Sequence, residues 1–110
     1  MSAIRDITTE AGMAHFEGLS DAIVFFHKNL CPHCKNMEKV LDKFGARAPQ
    51  VAISSVDSEA RPELMKELGF ERVPTLVFIR DGKVAKVFSG IMNPRELQAL
   101  YASIHHHHHH

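Results

Sequence analysis

The sequence predicts an α/β domain built on a mixed central β-sheet with helices on both faces. Three observations carry this prediction. Apolar runs of strand length alternate with helical periodicities along most of the chain. The last two strand candidates are joined by Asp81-Gly82, a hairpin signal. The length, 110 residues, suits one domain with one core.

The elements follow in order. Ile4–Ile7 reads as a short strand, and Thr8 or Thr9 as the cap of a short helix running to about Glu17. Ala22–His27 (AIVFFH) is a continuous apolar run, as in a strand buried on both faces. Met37, Val40, Leu41 and Phe44 then recur at i, i+3, i+4 and i+7, the stripe of an amphipathic helix. Gly45 weakens the end of that helix, and Pro49 forbids its continuation. Val51–Val56 is a second central strand. The next helix has Pro62 in its first turn, Leu64, Met65 and Leu68 on its inner side and Gly69 as its stop. Thr75–Arg80 is a third apolar strand, and Lys83–Ser89 returns after a turn whose positive φ angles Asp-Gly supplies. Asn93-Pro94 opens the last helix, with Asn93 as cap, Pro94 in first position and Glu96 three residues beyond the cap. Leu97, Leu100, Tyr101 and Ile104 form its buried stripe. The order is β-α-β-α-β-α-β-β-α, which predicts parallel central strands and an antiparallel hairpin at the end.

Residues 1–104 are the predicted domain; His105 to His110 read as an expression tag and stay outside the fold argument. Thirteen basic residues balance thirteen acidic ones, so neither a nucleic acid nor a membrane surface is expected as partner. No apolar stretch reaches the length of a membrane span. The first eighteen residues mix charges of both signs without the apolar run of a signal peptide, so the expected location is the cytoplasm. Two cysteines are too few for a disulfide scaffold.

Both cysteines lie in "HKNLCPHCKNM", positions 27–37. Cys31 ends the loop after a buried strand, and Cys34 falls in the first turn of a helix. A bond between them closes a very short loop, and crosslinking entropy grows with loop length, so it achieves little as a staple. A reversible dithiol explains the pair better. Free N–H groups and the dipole at the helix start favour a thiolate. Pro32 suits the first helical turn, and His33 can place a positive charge beside the thiolate, with Lys35 a weaker one. Cys34 shares the spacing of Met37 and Leu41 and leans toward the core. Cys31 is therefore expected to attack and Cys34 to resolve. A structural zinc site needs four ligands, and no second C-x-x-C is present, so no metal is expected.

Together with Val73-Pro74-Thr75, the hairpin "FIRDGKV" and Gly90, the apolar strand running into C-P-x-C-K resembles the thioredoxin family across residues 1–104. The resemblance implies the thioredoxin fold and a protein-disulfide reductase that needs no cofactor beyond its own redox-active cysteine pair. It implies Pro74 as a cis-proline facing that pair. Val73, Thr75, Leu30, Gly90 and Ile91 would line a groove for disulfide-containing substrate proteins. It further implies a monomer, re-reduced by a flavin-dependent thioredoxin reductase. The chain departs from the family pattern in three places. Leu30 stands where thioredoxins carry Trp, and Pro32-His33 replaces Gly-Pro. Phe25 and Ile53 occupy the positions of a buried Asp and its accompanying Lys. The Asp is regarded as proton acceptor for the resolving cysteine; His33 is the nearest substitute by sequence, and His27 reads first as a strand-end histidine. The Pro-His pair is that of DsbA-type oxidases, so a more oxidising thiol oxidase or isomerase is the alternative enzyme. A thioredoxin-like module that binds metal or partners without turnover is the non-enzymatic alternative.

Overall fold

β1 (Arg5–Asp6), α1 (Met13–Glu17), β2 (Asp21–His27), α2 (Pro32–Arg47), β3 (Ala52–Asp57), α3 (Pro62–Leu68), β4 (Thr75–Arg80), β5 (Lys83–Ser89) and α4 (Pro94–His106) follow one another in the expected order. A 3-10 turn at Ser58–Ala60 joins β3 to α3. The computed structural model describes residues 4–106. The last four histidines of the predicted tag lie outside the described residues, while α4 runs two residues into that tag.

The five strands form one sheet in the order β1-β3-β2-β4-β5. β1, β3 and β2 are mutually parallel, whereas β4 runs antiparallel to β2 and β5 antiparallel to β4. The parallel arrangement expected of the central strands holds for β2 and β3 but not for β4, which runs antiparallel to β2. The connection over residues 58–74 stays at the end of the sheet where β3 finishes, with Asp57 opposite His27. Thr75 starts β4 opposite Phe26, at the end where β2 finishes. This brings Pro74 to the end of the sheet from which Cys31 departs.

Alternation along β2 divides the core. Ile23 and Phe25 pack with Met37, Leu41 and Leu97 on one face; Ala22, Val24 and Phe26 pack with Phe16, Leu64 and Phe70 on the other. Helices cover both faces, as the uninterrupted apolar run requires.

One helix boundary differs from expectation. Thr8 and Thr9 cap no helix: the Thr8 amide and hydroxyl both donate to Asp6 Oδ1, at 2.8 and 2.6 Å, and Thr8 Oγ1 accepts from Asp57 N at 3.0 Å. That hydroxyl is spent on tying β1 to β3, and α1 starts only at Met13. α2 runs through Gly45 to Arg47. A helical Gly costs about 1 kcal/mol, less than the burial of Leu41 and Phe44 on the same face returns. The helix stops just before Pro49, as expected. The last helix forms the expected capping box: Glu96 N donates to Asn93 Oδ1 at 2.8 Å and Asn93 N to Glu96 Oε1 at 2.9 Å.

Asp81 and Gly82 both take positive φ, 53° and 77°, as a type I′ turn demands. A Cβ on Gly82 would lie 2.6 Å from the Glu17 carbonyl oxygen, a backbone atom that cannot move aside cheaply. Gly82→Ala is expected to cost roughly 2 kcal/mol in urea unfolding, without a change in m-value. A cost below about 0.5 kcal/mol would mean that α1 is free to shift.

Candidate active site

The site begins where β2 leaves the sheet. Leu30 takes φ 57°, a left-handed conformation rare for a branched residue, and its side chain is 96% exposed. This tight exit aims Cys31 at the start of α2. Cys31 is the N-cap, in extended conformation, and its Sγ accepts the Cys34 amide at 3.2 Å. Pro32 takes the first helical position, where the missing N–H costs nothing. Lys35 N donates to the Cys31 carbonyl at 3.2 Å. Cys31 and Cys34 are joined in a disulfide, with their Cα atoms 5.2 Å apart. The Cys31 sulfur thus sits at the positive end of a sixteen-residue helix and receives one of its free N–H groups. In this oxidised form both cysteines are buried, Cys31 at 8% exposure and Cys34 at 4%. The capping position, more than exposure, distinguishes the two.

A second segment arrives from β4. The Val73–Pro74 bond is cis, and Pro74 is buried. Gly90 N donates to the Pro74 carbonyl at 2.9 Å, and Gly90 takes φ 128°, which favours glycine. Thr75 Oγ1 lies 2.5 Å from the Arg72 carbonyl and 2.7 Å from Ser89 Oγ. Val73 packs against the core cluster that holds both cysteines and Met92. Met92 N in turn donates to Met37 Sδ at 3.4 Å, which ties the Gly90–Met92 segment to α2. Leu30 and Ile91, at 96% and 54% exposure, are the large apolar side chains left at the surface among the described residues.

Behind the disulfide lies an open cavity of about 420 Å³, lined by the 27–31 segment together with Phe25, Cys34, Lys35, Glu38 and Ser55. Sequence reasoning named neither Glu38 nor Ser55 and favoured a surface role for His27. The period of two along β2 was the available signal, since it places His27 on the Phe25 side of the sheet. The two rings lie 5.5 Å apart. His33 is exposed and is not among the lining residues. Phe25 and Ile53 are both buried in the core cluster. Among the described residues, no three His, Cys, Asp or Glu side chains converge as a metal site, and no helix is long and apolar enough to cross a membrane.

A vicinal cysteine pair capping a helix, beside a cis-proline loop on a mixed five-stranded sheet, defines a thiol–disulfide oxidoreductase. The thioredoxin family profile matches residues 12–105. The chain belongs to the thioredoxin family. It is similar to the thioredoxin of Chlamydia muridarum (strain MoPn / Nigg), 31% identical over 78 residues, which cover 71% of this chain and 76% of that one. The thioredoxin of Alicyclobacillus acidocaldarius subsp. acidocaldarius is 27% identical over 89 residues, 80% and 85% of the two chains. The fold also matches a chain from a structural study of thiol resolution in yeast mitochondrial 1-Cys peroxiredoxin via glutathione/thioredoxin systems. There the TM-score is 0.79 at 23% identity, over 91% of this chain and 94% of that one.

Proposed function

We propose that the protein reduces disulfides in partner proteins through its Cys31–Cys34 dithiol. The observation that carries this reading is the pair of exposed apolar side chains, Leu30 and Ile91, beside a buried sulfur pair. Such side chains favour docking of a polypeptide over a small polar thiol. In the reduced protein the Cys31 thiolate attacks a substrate disulfide and expels one substrate thiolate. The mixed disulfide is then attacked at the Cys31 sulfur by the Cys34 thiolate. This releases the second substrate thiolate and leaves the Cys31–Cys34 disulfide. Two electrons pass from the dithiol to the substrate. A flavin-dependent thioredoxin reductase returns them, and no cofactor other than the cysteine pair takes part. Val73 and Gly90 border the docking groove, with Pro74 beneath them; Thr75, expected at the groove, is fully buried and supports it from below. The protein works as a monomer in the cytoplasm, where thiols are kept reduced.

Insulin-disulfide reduction with dithiothreitol as electron source tests this reading. The wild type should accelerate it. Leu30→Ser should lower that acceleration several-fold, yet leave reduction of a small aromatic disulfide and thermal stability nearly unchanged. No acceleration by the wild type would favour a binding module without turnover.

The Pro32-His33 pair supports a second point, a potential less reducing than that of an ordinary thioredoxin, at about −270 mV. His33 occupies the second position of α2, beside the helix end that already favours a thiolate at Cys31. His33→Gln should raise the Cys31 pKa and lower the potential by on the order of 10–20 mV in glutathione equilibration. An unchanged potential would make His33 a bystander.

A further inference from the structure

The geometry points to His27 as the group that takes the proton from Cys34, through water in the cavity behind the disulfide. This rests on the dithiol reading above and supplies the step which that reading leaves open. Cys34 is 4% exposed and set among apolar neighbours, and such burial makes a thiol hold its proton more tightly. It must lose that proton before it can attack. The residue beneath it on β2 is Phe25, which cannot accept one. One pleat further along the same face is His27, its ring 5.5 Å from that of Phe25. His27 and Cys34 line one cavity of about 420 Å³, room for several waters at roughly 30 Å³ each. The cavity wall is polar enough to hold them, with Ser55, Glu38 and Lys35 around it.

Chemistry selects among the lining groups. Lysine is ordinarily protonated at neutral pH, so Lys28 and Lys35 can stabilise a thiolate but are poor acceptors. A carboxylate is a weak base toward a thiol, which places Glu38 second. Imidazole is the lining type that ordinarily changes charge between about pH 5 and 8. Charged groups face His27 from three neighbouring elements. Asp57 is its partner on β3, Asp6 faces it from β1 closely enough that the histidine contributes to holding the Asp6 carboxyl below its usual range, after the Thr8 hydrogen bonds, and Glu38 lies on α2. These three carboxylates stand against Lys28 and Lys35. His33 faces solvent and has no place on this wall.

In balance, the Cys34 thiol of the mixed disulfide gives its proton by way of water to the neutral His27 imidazole. The thiolate so formed attacks the Cys31 sulfur, and the Cys31–substrate bond breaks as the Cys31–Cys34 bond forms. The electron pair leaves on the substrate sulfur, and the imidazolium loses its proton to bulk water.

The test mixes reduced protein with an aromatic disulfide whose released thiolate absorbs, under single-turnover conditions. Attack by Cys31 releases the first thiolate and resolution by Cys34 the second, so the steps are read separately. In His27→Gln the first phase should be unchanged, which also reports an intact fold, while the second should slow by about tenfold or more at pH 7. The inflection of the second phase should move upward in pH, and added imidazole should restore rate to His27→Ala. A second phase of wild-type rate in His27→Gln overturns the proposal. So does a slowed phase with an unmoved pH profile and no rescue by imidazole, or a larger loss in Glu38→Gln than in His27→Gln. Absence of the first phase in the wild type would instead overturn the reading of Cys31 as nucleophile.

Discussion

Cys31→Ser is expected to lower insulin-disulfide reduction by at least about a thousandfold, and Cys34→Ser to halt the protein with its substrate still attached. The two variants fail differently because the sulfurs do different work. Without the Cys31 sulfur, no thiolate remains at the helix N-cap, where Sγ receives the Cys34 amide. Cys34 lies inside the first turn of the helix, not at its cap, and lacks the position that favours a thiolate at Cys31. Without the Cys34 sulfur, the first exchange still proceeds, but the intramolecular attack that releases the product is lost. An external thiol must substitute, at far lower effective concentration. Mass spectrometry of non-reduced samples checks the difference. Cys34→Ser should carry a stoichiometric substrate adduct that dithiothreitol removes, and Cys31→Ser should carry none. An adduct on Cys34 in Cys31→Ser, formed at the wild-type rate, would reverse the assignment.

Phe25→Asp is expected to be the most damaging single change to the core near the site, at about 3 kcal/mol or more. Phe25 is 3% exposed and packs with Ile53 and the helices over it. An aspartate there removes that packing and buries a carboxylate with no cation at position 53 to meet it. Burial raises the folded-state pKa of such a carboxyl above its unfolded value of about 3.9. The sign follows. Below pH 4 the group is neutral in both states and the charge costs nothing; as pH rises through the raised folded-state pKa, the cost reaches its full value. The gap between variant and wild type in urea unfolding should therefore be wider at pH 7 than at pH 4, and Ile53→Lys should recover part of it at pH 7. A gap independent of pH would mean that the cavity beside Phe25 hydrates the carboxylate. The same arithmetic explains why both apolar residues occur together: either charge alone in this cluster would be unpaired.

The periodicities of β2, α2, β4 and β5 placed these elements within a residue or a few of their observed limits, because each pattern is repeated by consecutive residues. The capping box at Asn93 and the turn at Asp81-Gly82 were legible for the same reason: their chemistry is complete within four residues. Thr8 misled because its hydroxyl has two possible employers. A helix cap is local, whereas the observed acceptor role for Asp57 N spans 49 residues.

Element order, the apolar faces and the position of the dithiol at a strand–helix junction were all readable along the chain. All of these depend on neighbours along the chain. In the tertiary structure, long-range strand pairing set the direction of β4, which runs antiparallel to β2 and carries Pro74 to the end of the sheet where Cys31 lies. The same structure decided which histidine looks inward. His33 is closer to the cysteines in sequence, but the helix turns it to solvent, while the pleat of β2 turns His27 into the cavity behind them. A side chain's surroundings are made by residues from other elements, and no local pattern specifies them.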